Sequence, residues 1–426
     1  MRTALNSNQT RDVLATTPSP VSARASWTFI GLYALAYTGI WLALLTPVIV
    51  TIALRVRELT PERAAQNLAL ILSIGAACAM IAGPIFGYLS DRTSSRLGMR
   101  RPWMIGGMIG GFIALACVAT STSIGAMLIA WCFAQIAFNA ALASTVALLA
   151  DQIPTEQRGT VAGILGVCMP LGQLIGAYIV QLVASSLVVA FLLPAALGAA
   201  TIFMLAIVLP DRRLTAPPVR TSLRAAFATF RAEPGRYRDF WCAWFSRFLL
   251  GVGTAFQTTY QPLYLVENLH RDPSEVPTLV FRSMLLQSIL IVAISLVSGR
   301  LSDKLGRRKI FVLVGALIYA VGLWWIAAAP TYGFFLTGLA IAAVAYGMYF
   351  AVDLALVTDV LPNSDRDAAK DLGILNIANA FPQVVAPVTG AVILTLAQGN
   401  YTAMYAIAGL IALASAGAIL PMKTAR

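Results

Sequence analysis

Two ionisable residues, Arg247 and Asp353, stand inside stretches of the sequence that are otherwise almost entirely apolar. A charged side chain at the centre of a membrane-spanning helix costs roughly 2.5–3.5 kcal/mol on insertion scales, so each charge needs a partner or a purpose. At about 1.5 Å of rise per residue, both residues lie roughly 9–12 Å from the same end of their helices. This equal depth permits a salt bridge between them.

Aromatic and amide side chains recur at helical spacing in four of the apolar stretches. The four groups are Tyr33, Tyr37 and Trp41; Gln135 and Asn139; Gln257, Tyr260 and Gln261; and Tyr346 and Tyr349, which share a face with Asp353. Aromatic rings can stack on a polyhydroxylated or amphipathic ligand while amides bond its hydroxyls. As a group these residues predict a cavity lining, whereas for any single one the alternative is packing or hydrogen bonding between helices.

A short segment with glycines, an aspartate and arginines occurs twice in the chain. The first copy contains Gly87, Asp91, Arg92, Gly98 and Arg101, and the second contains Gly299, Asp303, Gly306, Arg307 and Arg308. Such an aspartate can accept hydrogen bonds from amides at a helix N-terminus, and the arginines can bind carboxylates or C-terminal carbonyls. A second repeated pair, 149–154 and 357–362, has nearly the same offset. The repeats predict two related halves.

The elements that position these residues are long apolar stretches. Hydrophobic residues make up 59% of the chain and charged residues 11%, against about half and about a quarter in a soluble domain. Each stretch approaches the roughly 20 residues that cross a ~30 Å hydrocarbon core as a helix. Helices are predicted at 27–54, 66–90, 102–120, 123–150, 159–184, 187–209, 239–266, 277–299, 309–329, 332–360, 367–396 and 400–420. Twelve is the expected count, with eleven or thirteen as alternatives.

The distribution of Lys and Arg predicts the orientation of these helices. Most basic residues fall on the side of the two termini, and the opposite side carries Arg55, Arg57, Arg63, Arg271 and Arg282. Both termini are therefore expected to be cytoplasmic. The predicted organisation is a disordered cytoplasmic tail at 1–25, a six-helix bundle at 26–209, a basic cytoplasmic linker at 210–238, a second six-helix bundle at 239–421, and a cytoplasmic tail at 422–426. Solute sites lie between the halves of such parallel repeats.

Several functional classes receive no support from the sequence. The formal net charge of +12 does not indicate nucleic-acid binding, because the basic residues sit in short loops between the apolar stretches. The five cysteines form no CxxC pair and the one histidine, His270, lies in a loop, so we expect no metal site and no cofactor. No nucleophile is paired with a base, so an enzyme is not expected. The absence of a G-x-x-x-x-G-K-[ST] loop argues against ATP-driven pumping by this chain.

The repeated segment resembles the hallmark loop of the major facilitator superfamily, G-x-x-x-D-R-x-G-R-R, which lies between helices 2 and 3 and is often echoed between helices 8 and 9. The first copy departs from that pattern, because residues 93–96 lengthen the loop and Met99 stands where a basic residue is common. This longer form is similar to that of sucrose-transporter-like solute carriers and bacterial glycoside symporters. The stretches that begin at Arg247, Ala351 and Lys370 are similar to the same branch.

The resemblance implies an all-α membrane protein with twelve transmembrane helices in two pseudo-symmetric six-helix bundles. It assigns a conformational gating role to the residues of both loop copies, for which the alternative is topological anchoring plus a tight glycine turn. It also places helices 1, 4, 7 and 10 around the central cavity. Asp353 would then be a proton-coupling carboxylate that Arg247 keeps ionised, or else the two form a permanent structural ion pair.

The expected function is secondary active transport of a small organic solute, such as a sugar or glycoside, by alternating access and with proton coupling. The expected partners are that solute, protons and the lipid bilayer. The protein is expected to be a monomer that crosses the inner membrane many times. An efflux antiporter for drugs or secondary metabolites is the alternative within transport. A membrane receptor or sensor that binds its ligand without moving it is the alternative from another class.

Overall fold

The structure is a computed structural model that describes residues 24–211, 238–359 and 377–422. The side chains of Asp303 and of residues 353–359 lie outside this description. The predicted tails at 1–25 and 422–426 and the predicted linker at 210–238 therefore fall almost wholly outside the described residues.

Twelve helices run through the described residues, which contain no strand. They are α1 (Trp27–Leu59), α2 (Ala64–Ser90), α3 (Arg101–Thr120), α4 (Ile124–Gln152), α5 (Thr155–Leu182), α6 (Leu187–Val208), α7 (Arg238–Glu267), α8 (Val276–Leu305), α9 (Arg308–Ala327), α10 (Tyr332–Asp359), α11 (Ile377–Leu396) and α12 (Tyr401–Ile419). Side chains of Ser26, Ser123, Ser186 and Asn400 accept hydrogen bonds from backbone amides in the first turns of α1, α4, α6 and α12. The predicted twelve-helix fold is confirmed.

Two helices extend five or more residues beyond their predicted C-terminal ends. Helix α1 continues to Leu59 through a π-helical turn at Pro47–Thr51, where the proline has no amide hydrogen to donate. Helix α8 continues to Leu305 and ends at Gly306, whose φ of 60° lies in the left-handed region that favours glycine. The second copy of the loop segment is therefore helical up to its turn.

Helix α7 differs from the other eleven in polarity. Within the described residues, eleven helices are long and apolar enough to cross a membrane. Helix α7 is as long but more polar, because its second half carries Gln257, Tyr260, Gln261 and Tyr264. All four side chains are nonetheless buried, at 0–4% exposure. Buried polar groups need hydrogen-bond partners, so we expect these four side chains to bond to neighbouring helices.

The same set of helix pairs builds both halves. In the first half α1 packs on α5 and α6, α2 on α4, and α3 on α4 and α6. In the second half α7 packs on α11 and α12, α8 on α10, and α9 on α10 and α12. Adding six to each helix number of the first set yields the second. The chain therefore forms two pseudo-symmetric six-helix bundles, called here the N-bundle (α1–α6) and the C-bundle (α7–α12).

Glycines allow close approach inside the N-bundle. A Cβ on Gly198 of α6 would lie 2.3 Å from the carbonyl oxygen of Gly39 on α1. A Cβ on Gly107 of α3 would lie 2.5 Å from the carbonyl oxygen of Ala137 on α4. No side chain fits at these distances, so glycine sets the separation of both helix pairs.

Among the residues that the structure describes, hydrogen-bond and ring contacts between the two bundles lie at one end. We call the end with the start of α1 and the loop at 91–100 the basic end, and the other the opposite end. At the opposite end Gln66 Nε2 of α2 donates to Thr395 Oγ1 of α11 at 3.1 Å, and the rings of Tyr178 on α5 and Phe281 on α8 lie 5.2 Å apart. Toward the basic end, a Cβ would meet nothing within 4 Å at Gly83, Gly87, Gly159, Gly163 and Gly166. Within the described residues, side-chain contacts between the bundles cluster at the opposite end, whereas these glycines toward the basic end face open space.

Candidate functional site

The loop between α2 and α3 is built around one buried arginine. Arg100, only 4% exposed, forms ion pairs with Asp91 at 2.7 Å and with Asp151 of α4 at 2.8 Å. Its Nη1 also donates to Ser90 Oγ at 2.8 Å. Burial disfavours the guanidinium charge, but the hydrogen bonds and charges of Asp151 and Asp91 outweigh that effect and raise the pKa of Arg100. The cluster ties α2, α3 and α4 together at the basic end.

A third aspartate, Asp211, caps helix α3. Its Oδ2 accepts hydrogen bonds from the backbone amides of Arg100 and Arg101, both at 2.8 Å. A carboxylate at a helix N-terminus stabilises the amides that lack partners inside the helix. Gly98, with φ of 105°, has no side chain to obstruct this carboxylate, since a Cβ there would lie 2.2 Å from Asp211 Oδ2. The residue that caps the helix is thus Asp211, while Asp91 binds Arg100.

The arginines of the first loop copy have separate contacts. Arg101 Nη2 donates to the carbonyl oxygen of Leu209, just after α6. The Arg92 guanidinium lies 3.6 Å from the centre of the Tyr88 ring, a cation–π contact. Gly87 lies in the last turn of α2. All these contacts are within the N-bundle, so the loop acts on α2, α3, α4 and α6 in this conformation.

The second loop copy reaches the end of the C-bundle in a related way. Lys309 Nζ donates to the carbonyl oxygens of Leu420 at 2.8 Å and Met422 at 2.6 Å, just after α12. The contact from Arg101 to Leu209 is its counterpart in the N-bundle. A Cβ on Gly299 would lie 3.9 Å from the Ala351 Cβ of α10, and Arg307 and Arg308 begin α9 after the turn at Gly306. The Asp303 side chain lies outside the described part of the chain.

Helices α1 and α4 present part of the predicted cavity lining. Tyr37 and Trp41 are half-buried, and their rings meet edge to face at 6.0 Å. Asn139 is also half-buried, and its Nδ2 donates to the Gln135 carbonyl oxygen at 2.8 Å. Tyr33 is fully buried, and its hydroxyl donates to the Thr145 carbonyl oxygen at 2.9 Å. Tyr33 therefore links α1 to α4 within the N-bundle.

On α7 the amides and hydroxyls face mainly into the C-bundle. Gln257 accepts a hydrogen bond from the Tyr319 hydroxyl of α9 at 2.8 Å and donates one to Gln287 Oε1 of α8 at 2.7 Å. The Tyr260 hydroxyl donates to the Pro387 carbonyl oxygen of α11. Gln261 is 4% exposed, and its buried amide nitrogen has no hydrogen-bond partner among the described residues. Gln261 is thus the α7 residue with unused hydrogen-bonding capacity.

The two tyrosines of α10 differ in their burial and in their neighbours. Tyr346 is half-buried and stacks on Phe350 at 5.9 Å, whereas Tyr349 is 4% exposed and packs on Gly315 of α9. Arg247 is half-buried on α7. Asp353 lies on α10, and its side chain is outside the described residues. The predicted pairing of Arg247 with Asp353 therefore stays a prediction.

Several polar residues at these sites were not singled out by sequence reasoning. They are Asp211 at the cap of α3, Lys309 at the end of α12, Gln287 and Tyr319 around Gln257, and the pair formed by Glu267 and Tyr401. Gln287 and Tyr319 are isolated polar residues in apolar helices, so no spacing pattern marks them. One feature of the sequence could have marked Asp211: it follows Pro210 directly after an apolar helix.

Two six-helix bundles that repeat one packing pattern, with eleven helices of the described residues long and apolar enough to cross a membrane, define a polytopic membrane protein. The family model of the Major Facilitator Superfamily matches residues 27–286 and 243–424. The chain belongs to the Major Facilitator Superfamily.

Curated relatives match only short segments. The Multidrug resistance protein MdtL of Klebsiella pneumoniae is 35% identical over 99 residues, which cover 23% of this chain and 24% of that protein. The match thus spans about a quarter of the relative's length. An Uncharacterized symporter sll1374 of Synechocystis sp. is 59% identical over 39 residues, or 9% of this chain and 7% of that protein.

Solved structures match over nearly the whole chain. A crystal structure of the nucleoside transporter NupG has a TM-score of 0.71 at 15% identity and covers 92% of this chain and 99% of that chain. The D-xylose-proton symporter has a TM-score of 0.70 at 17% identity, with coverage of 94% and 99%. A bacterial homologue of Spinster in an inward-facing, unoccupied conformation has a TM-score of 0.69 at 17% identity and covers 93% and 96%. At these identities the likeness concerns the fold alone.

Proposed function

We propose that this protein is a secondary active transporter that moves a sugar or glycoside by alternating access, driven by protons. The observation that carries the proposal is the interface between the bundles, where side-chain contacts cluster at the opposite end and glycines toward the basic end face open space. Two bundles in contact at one end can rock about a site between them and expose it to each side in turn.

The basic end faces the cytoplasm in this proposal. The loop at 91–100 carries Arg92, Arg96 and Arg100, and short loops rich in Lys and Arg remain on the cytoplasmic side during insertion. Both termini then lie in the cytoplasm of a cell whose inner membrane holds the protein as a monomer. With this orientation the described conformation is inward-facing.

The repeated loops would serve as conformational gates. The Arg100 cluster and the Asp211 cap hold the N-bundle rigid at the basic end. At the same end of the C-bundle, Lys309 links α9 to the residues just after α12. Because these contacts cross-link the helices within each bundle, each bundle can move as a unit. Gly87, Asp91, Arg92, Gly98 and Arg101 in the first loop, and Gly299, Asp303, Gly306, Arg307 and Arg308 in the second, form this proposed gate.

The proposed substrate site uses the half-buried members of the predicted lining together with the buried Gln261, whose amide nitrogen has no hydrogen-bond partner among the described residues. Tyr37 and Trp41 offer aromatic faces, Asn139 and Gln261 offer amides, and Tyr346 adds a ring from the C-bundle. Rings that stack on a sugar and amides that bond its hydroxyls suit a neutral polyhydroxylated solute. The matched fold of a D-xylose-proton symporter supports this class.

Proton coupling is assigned to Asp353, with Arg247 as its proposed partner. Protonation of the carboxylate would release the arginine and free α7 and α10 to move, whereas a permanent ion pair would have no such effect. A thermal-shift screen of purified protein against sugars and antibiotics identifies the solute, because a ligand that binds the folded state raises the melting temperature.

The proposal is tested by uptake of that solute into proteoliposomes under an inward proton gradient. We expect accumulation against the solute gradient in the natural protein. In Asp353→Asn we expect accumulation to fall to the equilibrium level while exchange of internal for external solute persists. Concentrative uptake by Asp353→Asn would refute the coupling role.

Efflux of drugs or secondary metabolites is the second candidate, favoured by the partial match to MdtL. In that case antibiotics shift the melting temperature and leave the vesicles when the proton gradient is reversed. A receptor would bind its ligand in the same screen but would move none in either direction.

A further inference from the structure

A lateral groove lies between α2 of the N-bundle and α11 of the C-bundle, near the opposite end. Its volume is about 320 Å³. Ala69 and Ala391 are its buried members, and four apolar side chains beside them are 42–80% exposed, namely Leu70, Val388, Val392 and Leu396. Because these four side chains are exposed at an end where the bundles are in contact, the groove opens onto the outer surface of the protein.

The polar side chains of the groove already have partners. Gln66 Nε2 donates to Thr395 Oγ1 at 3.1 Å, and Thr395 Oγ1 donates to the Ala391 carbonyl oxygen at 2.8 Å. A sugar in the groove would have to break the bond between the bundles, and its other contacts would be with apolar side chains. The lining therefore suits a hydrocarbon chain.

The groove lies at the depth of the lipid tails of one leaflet. Both α2 and α11 are long and apolar enough to span a membrane. At about 1.5 Å of rise per residue, Leu70 lies about 9 Å from the start of α2 and Val388 about 12 Å from the end of α11. A hydrocarbon core is about 30 Å thick, so the groove opens into the leaflet at the opposite end. Ligand sites begin at about 300 Å³, so this volume suits one acyl chain.

A basic residue lies one helical turn from the groove. Arg63 is exposed, precedes α2 directly and stands three residues before Gln66. Within the described residues it forms no ion pair. Its guanidinium can bind a lipid phosphate through two parallel hydrogen bonds. Glu62 is exposed beside it, so the phosphate is bound by one arginine and not by a basic patch.

We propose that the groove binds one acyl chain of a phospholipid from the leaflet at the opposite end, while Arg63 binds the phosphate of that lipid. Because the lining comes from both bundles, the site exists only while α2 and α11 lie together. A bound phospholipid therefore stabilises the state in which the opposite end is closed. This consequence rests on the proposed alternating access, whereas the binding itself does not.

Photocrosslinking in lipid nanodiscs tests the binding without any transported solute. The two probes, used at equal mole fraction, are a phosphatidylglycerol with a diazirine in one acyl chain and a diacylglycerol that has the same chains but no phosphate. We expect the phospholipid to label the peptides that contain Leu70 or Val392. The diacylglycerol should label them about fivefold less, since a basic residue near a membrane surface contributes about that factor.

Variants of the groove and of Arg63 separate the two parts of the site. Ala391→Phe fills the groove, so labelling of the Leu70 peptide should fall about tenfold. Val392→Trp narrows the groove from an exposed position that tolerates a larger side chain and should act in the same direction. Arg63→Gln should lower labelling by the phospholipid about fivefold and leave labelling by the diacylglycerol unchanged. The matched control is Ile81→Trp, exposed on α2 outside the groove, which should label as the natural protein does.

Three results would overturn the proposal. Equal labelling of the Leu70 peptide in the natural protein, Ala391→Phe and Val392→Trp would show that no chain lies in the groove. Equal labelling by the two probes would remove the role of Arg63. A dimer in native mass spectra that Ala391→Phe abolishes would assign the groove to a second copy of the chain.

The coupling to conformation is measured separately. Spin labels at Thr122 and Thr331, which are exposed at the opposite ends of the N-bundle and C-bundle, report their separation by pulsed electron paramagnetic resonance. Replacing the diacylglycerol by phosphatidylglycerol should increase the short-distance population in the natural protein but not in Ala391→Phe. Labelling of the groove without any change in these distances would refute the link to alternating access and leave the binding site intact.

Discussion

The two bundles share one arrangement of helices but bury their polar groups at different places. The N-bundle concentrates ionised groups at the basic end, where Arg100 is surrounded by Asp91, Asp151 and the Asp211 cap. The C-bundle buries neutral amides and tyrosines along α7 and in its neighbours, with Gln257 bonded to Tyr319 and Gln287.

This difference indicates how a repeated fold can divide its roles. An ion cluster at a helix end cross-links α2, α3 and α4 near the aqueous boundary. Hydrogen bonds buried along a helix hold α7, α8 and α9 in a fixed relation. We infer that ion pairs at the basic end hold the N-bundle together, whereas hydrogen bonds along the helices hold the C-bundle together.

The largest expected effect is that of Arg100→Ala. The variant leaves the partly buried Asp151 carboxylate, 21% exposed, without its ion-pair partner and removes the cross-link between α2, α3 and α4. Loss of one partner of a buried pair costs about 3–5 kcal/mol, and we expect about 2–3 kcal/mol because Asp91 is more than half exposed. The melting temperature in detergent measures the change.

Arg96→Ala is the matched control for this prediction, since Arg96 is an exposed arginine of the same loop. It should melt within a degree or two of the natural protein. Equal melting temperatures for Arg100→Ala and Arg96→Ala would show that the cluster does not organise the N-bundle.

A smaller effect is expected for Gln257→Leu in the C-bundle. The substitution leaves the Tyr319 hydroxyl and Gln287 without their shared partner. Hydrogen bonds between membrane helices contribute about 0.6 kcal/mol on average, so the loss of two should cost about 1 kcal/mol. Thr258→Val, whose hydroxyl bonds only within α7, should cost less. The comparison of bundles would be wrong if Gln257→Leu destabilised the protein more than Arg100→Ala.

The fold was largely predictable from the sequence because hydrophobic length is a strong local signal. Twelve apolar stretches and the repeat of Gly87 to Arg101 in Gly299 to Arg308 sufficed for the two bundles. The end of α8 was misplaced by six residues, since the charged and polar residues from Arg300 to Lys304 resemble a loop and yet continue the helix.

The site was less predictable because hydrogen-bond partners come from distant helices. Helical spacing placed Tyr33, Tyr37 and Trp41 on α1, but only the packed structure shows that Tyr33 bonds to α4 while Trp41 remains half-buried. In the same way, Asp211 lies 110 residues from the amide of Arg101 that it caps. No local pattern could connect them.

Alternating access between the bundles is tested most directly by fixing the packed end. Gln66→Cys with Thr395→Cys places two thiols where side chains now meet at 3.1 Å across the bundles, in a background without the five native cysteines. Cross-linking this pair with a short bifunctional thiol reagent should stop uptake of the solute found by thermal shift, and reductive cleavage should restore it. The pair Thr60→Cys with Asn67→Cys, whose side chains meet at 2.9 Å within the N-bundle, should transport when cross-linked. Undiminished uptake with the bundles cross-linked would contradict the account.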